Sequence, residues 1–291
     1  MNKTVLSQLK SAINRNLDER ARRIIESDGS YLSIADFVLL INYMRKIGRF
    51  SRPVLEYAYS KSIYRNVLFT DRFHAIYLVM RVCRNGDIDI VRLLLTDPGI
   101  DSVDCFYALE TACDAGHIRI VSLLLADDRI DSRILKISDM PLNKACLSGH
   151  NDIVKLLLAC NKFGADYDMY GSIDTACMIG NAEALRLLLA DDRSNRINFD
   201  DNDLSFITNA SIRGHVDVVR ILLADQRIRP DVRRNQAIND ASYLGNAAMV
   251  ELLLTDRRVV EAGLDAAITS AQVLDHPAVL SMLTAAEKAK D

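Results

Sequence analysis

The chain has 291 residues, a formal net charge of −3 and 49% hydrophobic residues, the balance of an ordinary globular core. So small a net charge compels neither a nucleic-acid nor a membrane partner, and no apolar run approaches the ~18 residues of a membrane span. The opening Met1-Asn2-Lys3-Thr4-Val5-Leu6-Ser7-Gln8 lacks the apolar stretch of a secretory leader.

Residues 1–66 read as helical but blurred. Asn16 and Gly48 are the candidate turn residues, 32 apart. Pro53 falls near a helix start, where a missing N–H is tolerated, and Leu55 and Tyr57 follow on the apolar face. This stretch is basic: residues 1–78 hold 13 Lys/Arg against 7 Asp/Glu, the remainder 23 against 32. Arg15, Arg20, Arg22 and Arg23 give it the polar outer face that a terminal repeat needs.

From residue 67 the pattern sharpens. Ala112-Cys113-Asp114-Ala115-Gly116-His117 reads as a helix end and a tight turn, with Gly116 suited to positive φ. Ile118, Val121, Leu124 and Leu125 then fall on one helical face, widened by Ile120 and Leu123. So short and apolar a helix is not stable alone. The unit recurs, with turn glycines at 86, 116, 149, 180, 214 and 245. A period near 30 with two helices per unit predicts a stacked repeat. A last unit turns at Asp275-His276, and a weakened second helix with a charged tail is expected to close the array.

The recurring Ala-Cys-x-x-Gly-His-x-x-Ile-Val-x-Leu-Leu-Leu resembles the helix–turn–helix half of the ankyrin repeat. Thr-Pro-Leu-His survives only as Pro141-Leu142-Asn143, and Gly-Ala-Asp once, as Gly164-Ala165-Asp166. Asp127-Asp128-Arg129, Asp191-Asp192-Arg193 and Asp256-Arg257-Arg258 replace the latter elsewhere, a flavour similar to ankyrin arrays of amoebae and their large viruses. The resemblance implies an all-α ankyrin-type helix-turn-helix repeat solenoid. Residues 1–66 would be degenerate N-terminal capping repeats, and residues 67–291 an array of about seven repeats, the last a C-terminal cap. A small separate helical domain over 1–66 is the competing reading.

Cys83, Cys113, Cys146 and Cys177 share one slot of successive repeats. Stacked helices ~10 Å apart put them beyond disulfide reach, so with Cys105 and Cys160 they read as reduced residues of an intracellular protein, cytoplasmic or nuclear. His117, His150, His215 and His276 follow the turn. At the same spacing they cannot share a metal and are expected to hydrogen-bond in the turn. Asp127-Asp128 and Asp191-Asp192 read as solvated helix-end residues, and the acidic loop at 200–203 lacks calcium-loop spacing. No catalytic signature is present, so no enzyme, cofactor or metal is expected.

The expected function is non-covalent binding of a partner protein, as scaffold or adaptor, with self-association as a further outcome. The family resemblance implies a concave face built from hairpin tips and the two residues before each turn glycine. From Leu147 onward these turn apolar: Leu147, Met178, Ile179, Ile212, Tyr243 and Leu244, with Arg213 among them. Met, aromatic and Arg residues are favoured at interface centres. Arg227, Arg229, Arg233 and Arg234 form a second candidate, for a carboxylate- or phosphate-bearing ligand. The alternative function is substrate recognition within a modifying complex of the ubiquitin-ligase type, residues 1–66 docking the enzyme.

Overall fold

The computed structural model describes residues 3–14, 20–21, 23–24, 43, 72–97, 100–131, 135, 139–164, 167–197, 199 and 206–289. The turn positions expected at Asn16 and Gly48, the neighbouring Pro53, Leu55 and Tyr57, and the acidic loop at 200–203 lie outside them, as does the expected boundary at residue 66.

Among the described residues all regular structure is helical. The chain forms two compact units, residues 1–134 and 135–291. The first contains α1 (Lys3–Asn14), α2 (Arg72–Asn85), α3 (Ile88–Leu95), α4 (Ser102–Asp114) and α5 (Ile118–Leu125). Here α2 packs on α4 and α3 on α5.

The second unit runs α6 (Met140–Leu147), α7 (Asn151–Leu158), α8 (Tyr170–Ile179), α9 (Ala182–Ala190), α10 (Phe206–Ile212) and α11 (Val216–Ala224). It continues with α12 (Val232–Tyr243), α13 (Ala247–Leu253), α14 (Asp265–Val273) and α15 (Pro277–Lys288). Its first helices (α6, α8, α10, α12, α14) pack on one another in order, and its second helices (α7, α9, α11, α13, α15) form a parallel layer.

The second helices show why the sequence folds this way. In α5, Ile120, Val121, Leu124 and Leu125 are buried. The matching triplets are Ile153, Val154 and Leu157 in α7 and Val218, Val219 and Leu222 in α11. Two adjacent positions and one a turn later make a stripe wide enough to meet a helix on either side. Ile118 was expected on this face. It is 40% exposed, because as the first helical residue it lies on the solvent side and Ile120 takes the inward position.

Each unit turns by the same device. At α6 the N–H of Gly149 donates to the Cys146 carbonyl at 3.1 Å and that of His150 to Ala145 at 2.9 Å. This paired closure, with Gly149 at φ +75, is a Schellman motif, and the left-handed residue is what glycine permits. In the last unit Asp275 takes the role at φ 55. The final helix after it carries a thinner stripe than the others, burying only Val279 and Leu283 where α5 buries four residues. α15 runs 12 residues with Pro277 in its first turn, where proline's fixed φ suits the helix.

The cysteine slot is buried as expected at Cys83, Cys113, Cys146 and Cys177. Burial pushes the thiols of Cys83 and Cys146 up to about 12. Ser211 and Ser242 occupy the same slot in later units. Their buried hydroxyls have no hydrogen-bond partner among the described residues.

Candidate interaction surface

The two residues ahead of each turn end a first helix just before its chain reverses, so their side chains cannot enter the stack behind them. In the second unit all of them are exposed. Leu147, Met178, Ile179, Ile212, Tyr243 and Leu244 stand in the solvent, joined by Val273 and Leu274; Tyr243 is 60% and Val273 76% exposed. Arg213 is exposed among them. These residues occupy one register position on α6, α8, α10, α12 and α14. An apolar run of this kind, repeated from helix to helix, is unlike the scattered apolar residues of an ordinary surface. At the corresponding positions of the first unit stand Arg84 and Asp114, an ion pair at 3.7 Å.

Two arginines of the second candidate, Arg227 and Arg229, are engaged within the chain. Arg227 holds Asp225 through a 2.5 Å ion pair, donates to the Leu189 carbonyl at 3.1 Å and lies over the Phe199 ring at 5.1 Å. Arg229 pairs with Asp231 at 3.0 Å. Arg233 and Arg234 belong to α12, and their side chains lie outside the described residues.

Arg227 belongs instead to a device that spacing alone does not show. Among the described residues four Asp-x-Arg loops follow second helices, and in each the arginine chelates the aspartate two residues before it: Arg129–Asp127 and Arg193–Asp191 at 2.6 Å, Arg227–Asp225 at 2.5 Å, Arg258–Asp256 at 2.7 Å. The same guanidinium then reaches back one repeat. Arg129 donates to the Leu95, Asp97 and Ile100 carbonyls, Arg193 to Leu158 and Arg258 to Ile228. The Arg193 hydrogen bonds hold the Asp191 carboxyl below the usual carboxylate range, and Arg227 and Arg258 do the same for Asp225 and Asp256. Asp127 and Asp191 are therefore partners in part-buried ion pairs rather than the solvated residues expected.

The histidines also bind across repeats. Nε2 of His117 meets the Arg84 carbonyl at 3.0 Å, that of His215 meets Met178 at 3.1 Å and that of His276 meets Tyr243 at 3.2 Å. A carbonyl only accepts, so Nε2 carries the proton. In the second unit these carbonyls belong to the apolar run, and the histidines fix the backbone beneath Met178 and Tyr243. Asn181 does similar work, donating to the Cys146 carbonyl at 3.2 Å.

Beside the run, the first helices carry polar ties. Asn143 donates to the Gly171 carbonyl and Thr175 hydroxyl at 3.0 and 2.8 Å, and Asn209 to Asp174 at 3.1 Å. Burial raises the Asp139 and Asp240 carboxyls. Among the described residues no group of three or more His, Cys, Asp or Glu could hold a metal, and no helix is long and apolar enough to cross a membrane.

A sequence model described as ankyrin repeats (three copies) matches residues 79–170 and 173–268. The ankyrin repeat domain of human ASB11, known from a crystal structure, superposes with a TM-score of 0.50 at 19% identity, covering 70% of this chain and 96% of that one. No curated relative matches.

Proposed function

The chain belongs to the ankyrin-repeat family, whose fold is a non-catalytic platform for protein–protein interaction, and from that premise we propose that it is a scaffold or adaptor that binds a partner protein through the apolar run on its second unit. The observation that carries this reading is the exposure of Leu147, Met178, Ile179, Ile212, Tyr243 and Leu244 at one register position. A partner that covers them removes apolar area from water at ~25 cal/mol per Å². The exposed Arg213 supplies a directional contact of the kind interfaces favour.

The test is a cross-linking pull-down from lysate with the wild type and a Met178→Asp/Tyr243→Asp double variant. Both side chains are exposed, so the variant should keep its circular dichroism and its unfolding midpoint while losing one captured protein. Retention of every partner by the folded variant would remove the run from the binding site.

A further inference from the structure

The apolar run of the second unit is bordered by carboxylates. On α8, Asp174 stands four residues before Met178, and on α12, Asp240 stands four before Leu244, the spacing that puts two side chains on one helical face. On the far side of the turns, Asp152, Glu183 and Asp217 are exposed in the first turns of α7, α9 and α11. An acid in a first turn suits the helix dipole, but Asp240, in the last turn of α12, opposes it.

Neutral groups orient the two inner carboxylates and leave their charge in place. Asp174 accepts from the Asn209 amide at 3.1 Å and Asp240 from the Gln236 amide at 2.6 Å. On the second helices Lys155, Arg186 and Arg220 stand one turn further from the run than the acids. Glu183 meets Lys155 at 3.6 Å and Arg186 at 3.7 Å, exposed pairs that hold little energy. Lys144 and Arg213 also stand beside the run, which leaves the border with an excess of negative charge.

The spacing of the stack selects the shape of what lies across it. Packed helices stand ~8–10 Å apart, and two turns of a helix laid over them advance ~11 Å. An apolar residue at every seventh position therefore meets one first helix after another with a single face. A strand covers that distance in about three residues, which points alternate side chains away from the run. The run offers neighbouring apolar positions on one helix, as at Met178–Ile179 and Tyr243–Leu244, wide enough for the stripe of an amphipathic helix.

We propose that the run seats a basic amphipathic helix of the partner protein. Its apolar stripe lies on Leu147, Met178, Ile212 and Tyr243, and its lysines or arginines face Asp174 and Asp240 along one edge and Asp152 and Asp217 along the other. This inference rests on the reading of the run as the binding surface and adds the chemistry of what covers it.

The experiment titrates the full chain into a fluorescein-labelled helical peptide of about 21 residues, ~31 Å long, with Leu at the first and fourth positions of each heptad and Lys on both flanks. Saturable anisotropy is expected. The same peptide with Glu for every Lys should bind at least about 10-fold more weakly, the gap narrowing as salt rises to ~0.5 M. Asp174→Asn/Asp240→Asn keeps an acceptor oxygen for each amide, so it should hold its unfolding midpoint while binding the Lys peptide about 3–10-fold more weakly. Equal binding of the Lys and Glu peptides, or of a Lys peptide carrying two central prolines, would overturn the proposal. So would dimerisation of the chain that Met178→Ser/Tyr243→Ser abolishes, since a second copy would then cover the run. Undiminished binding of the Lys peptide by folded Met178→Ser/Tyr243→Ser would show that the run is not the surface at all. A lysate partner lost by that variant but kept by Asp174→Asn/Asp240→Asn would preserve the run as a binding surface and reject the basic helix as its occupant.

Discussion

Gly180 and Gly149 sit at nearly the same left-handed φ, +81 and +75, in different surroundings. A Cβ on Gly180 would come within 2.6 Å of the His215 ring, whereas one on Gly149 would meet nothing within 4 Å. Gly149→Ala should therefore cost only the backbone term, ~1 kcal/mol, and Gly180→Ala roughly 1–3 kcal/mol more because the imidazole must leave its carbonyl. Urea midpoints of the two variants measure the difference, and equal losses would show that the ring moves freely. Ser242 tests the opposite sign. Its hydroxyl is buried without a partner, so Ser242→Ala should stabilise the chain by ~1 kcal/mol. The need for glycine at the turn was legible in the sequence. The histidine partners were not, because each imidazole binds a backbone carbonyl a full repeat away, as His215 binds Met178, and every residue has such a carbonyl.

A second helix is held by burial on two flanks and by a clamp at its end. Leu124 is fully buried, and Leu124→Ala should cost ~2–5 kcal/mol in chemical denaturation; an unchanged midpoint would refute its place in the stack. Arg193 is a stricter test of the clamp, because it joins Asp191 and the Leu158 carbonyl at once. Arg193→Lys keeps the charge but loses the fork, and should cost ~1–3 kcal/mol. The helical stripe was readable because three apolar residues at helical spacing recur in every unit, as Ile153, Val154 and Leu157 do in α7. The clamp was only half readable. The Asp-x-Arg pattern is visible in the chain, but its acceptors are main-chain oxygens in the preceding unit. Ile118 was misplaced because the first residue of a helix has no preceding turn to fix its direction.

Along the second unit, Asp191, Asp225 and Asp256 repeat one electrostatic arrangement from joint to joint. Each carboxyl is held below its unfolded value, so its contribution is present above pH ~4 and lost as pH falls through the folded value. Asp139 and Asp240, raised by burial, act in the opposite sense and favour the fold once protonated. Arg193→Gln should therefore be less stable than the wild type at pH 7, with the gap closing in acid. A gap that persists to pH 2 would assign the arginine's effect to its carbonyl contact alone. At this scale the apolar run was legible once the turn positions were known, since a residue ahead of a turn has nowhere to go but outward.

At three turns the ring that covers the glycine belongs to the following repeat: His117 covers Gly86, His215 covers Gly180 and His276 covers Gly245. A duplication running from just after one turn glycine to just after the next would carry a histidine or asparagine at its front and a glycine at its back. Both new junctions would then be complete at birth. A lineage of such chains can gain or shed whole units without inventing a contact, whereas a copy cut between glycine and helix on one side only would leave one half of the fastening behind.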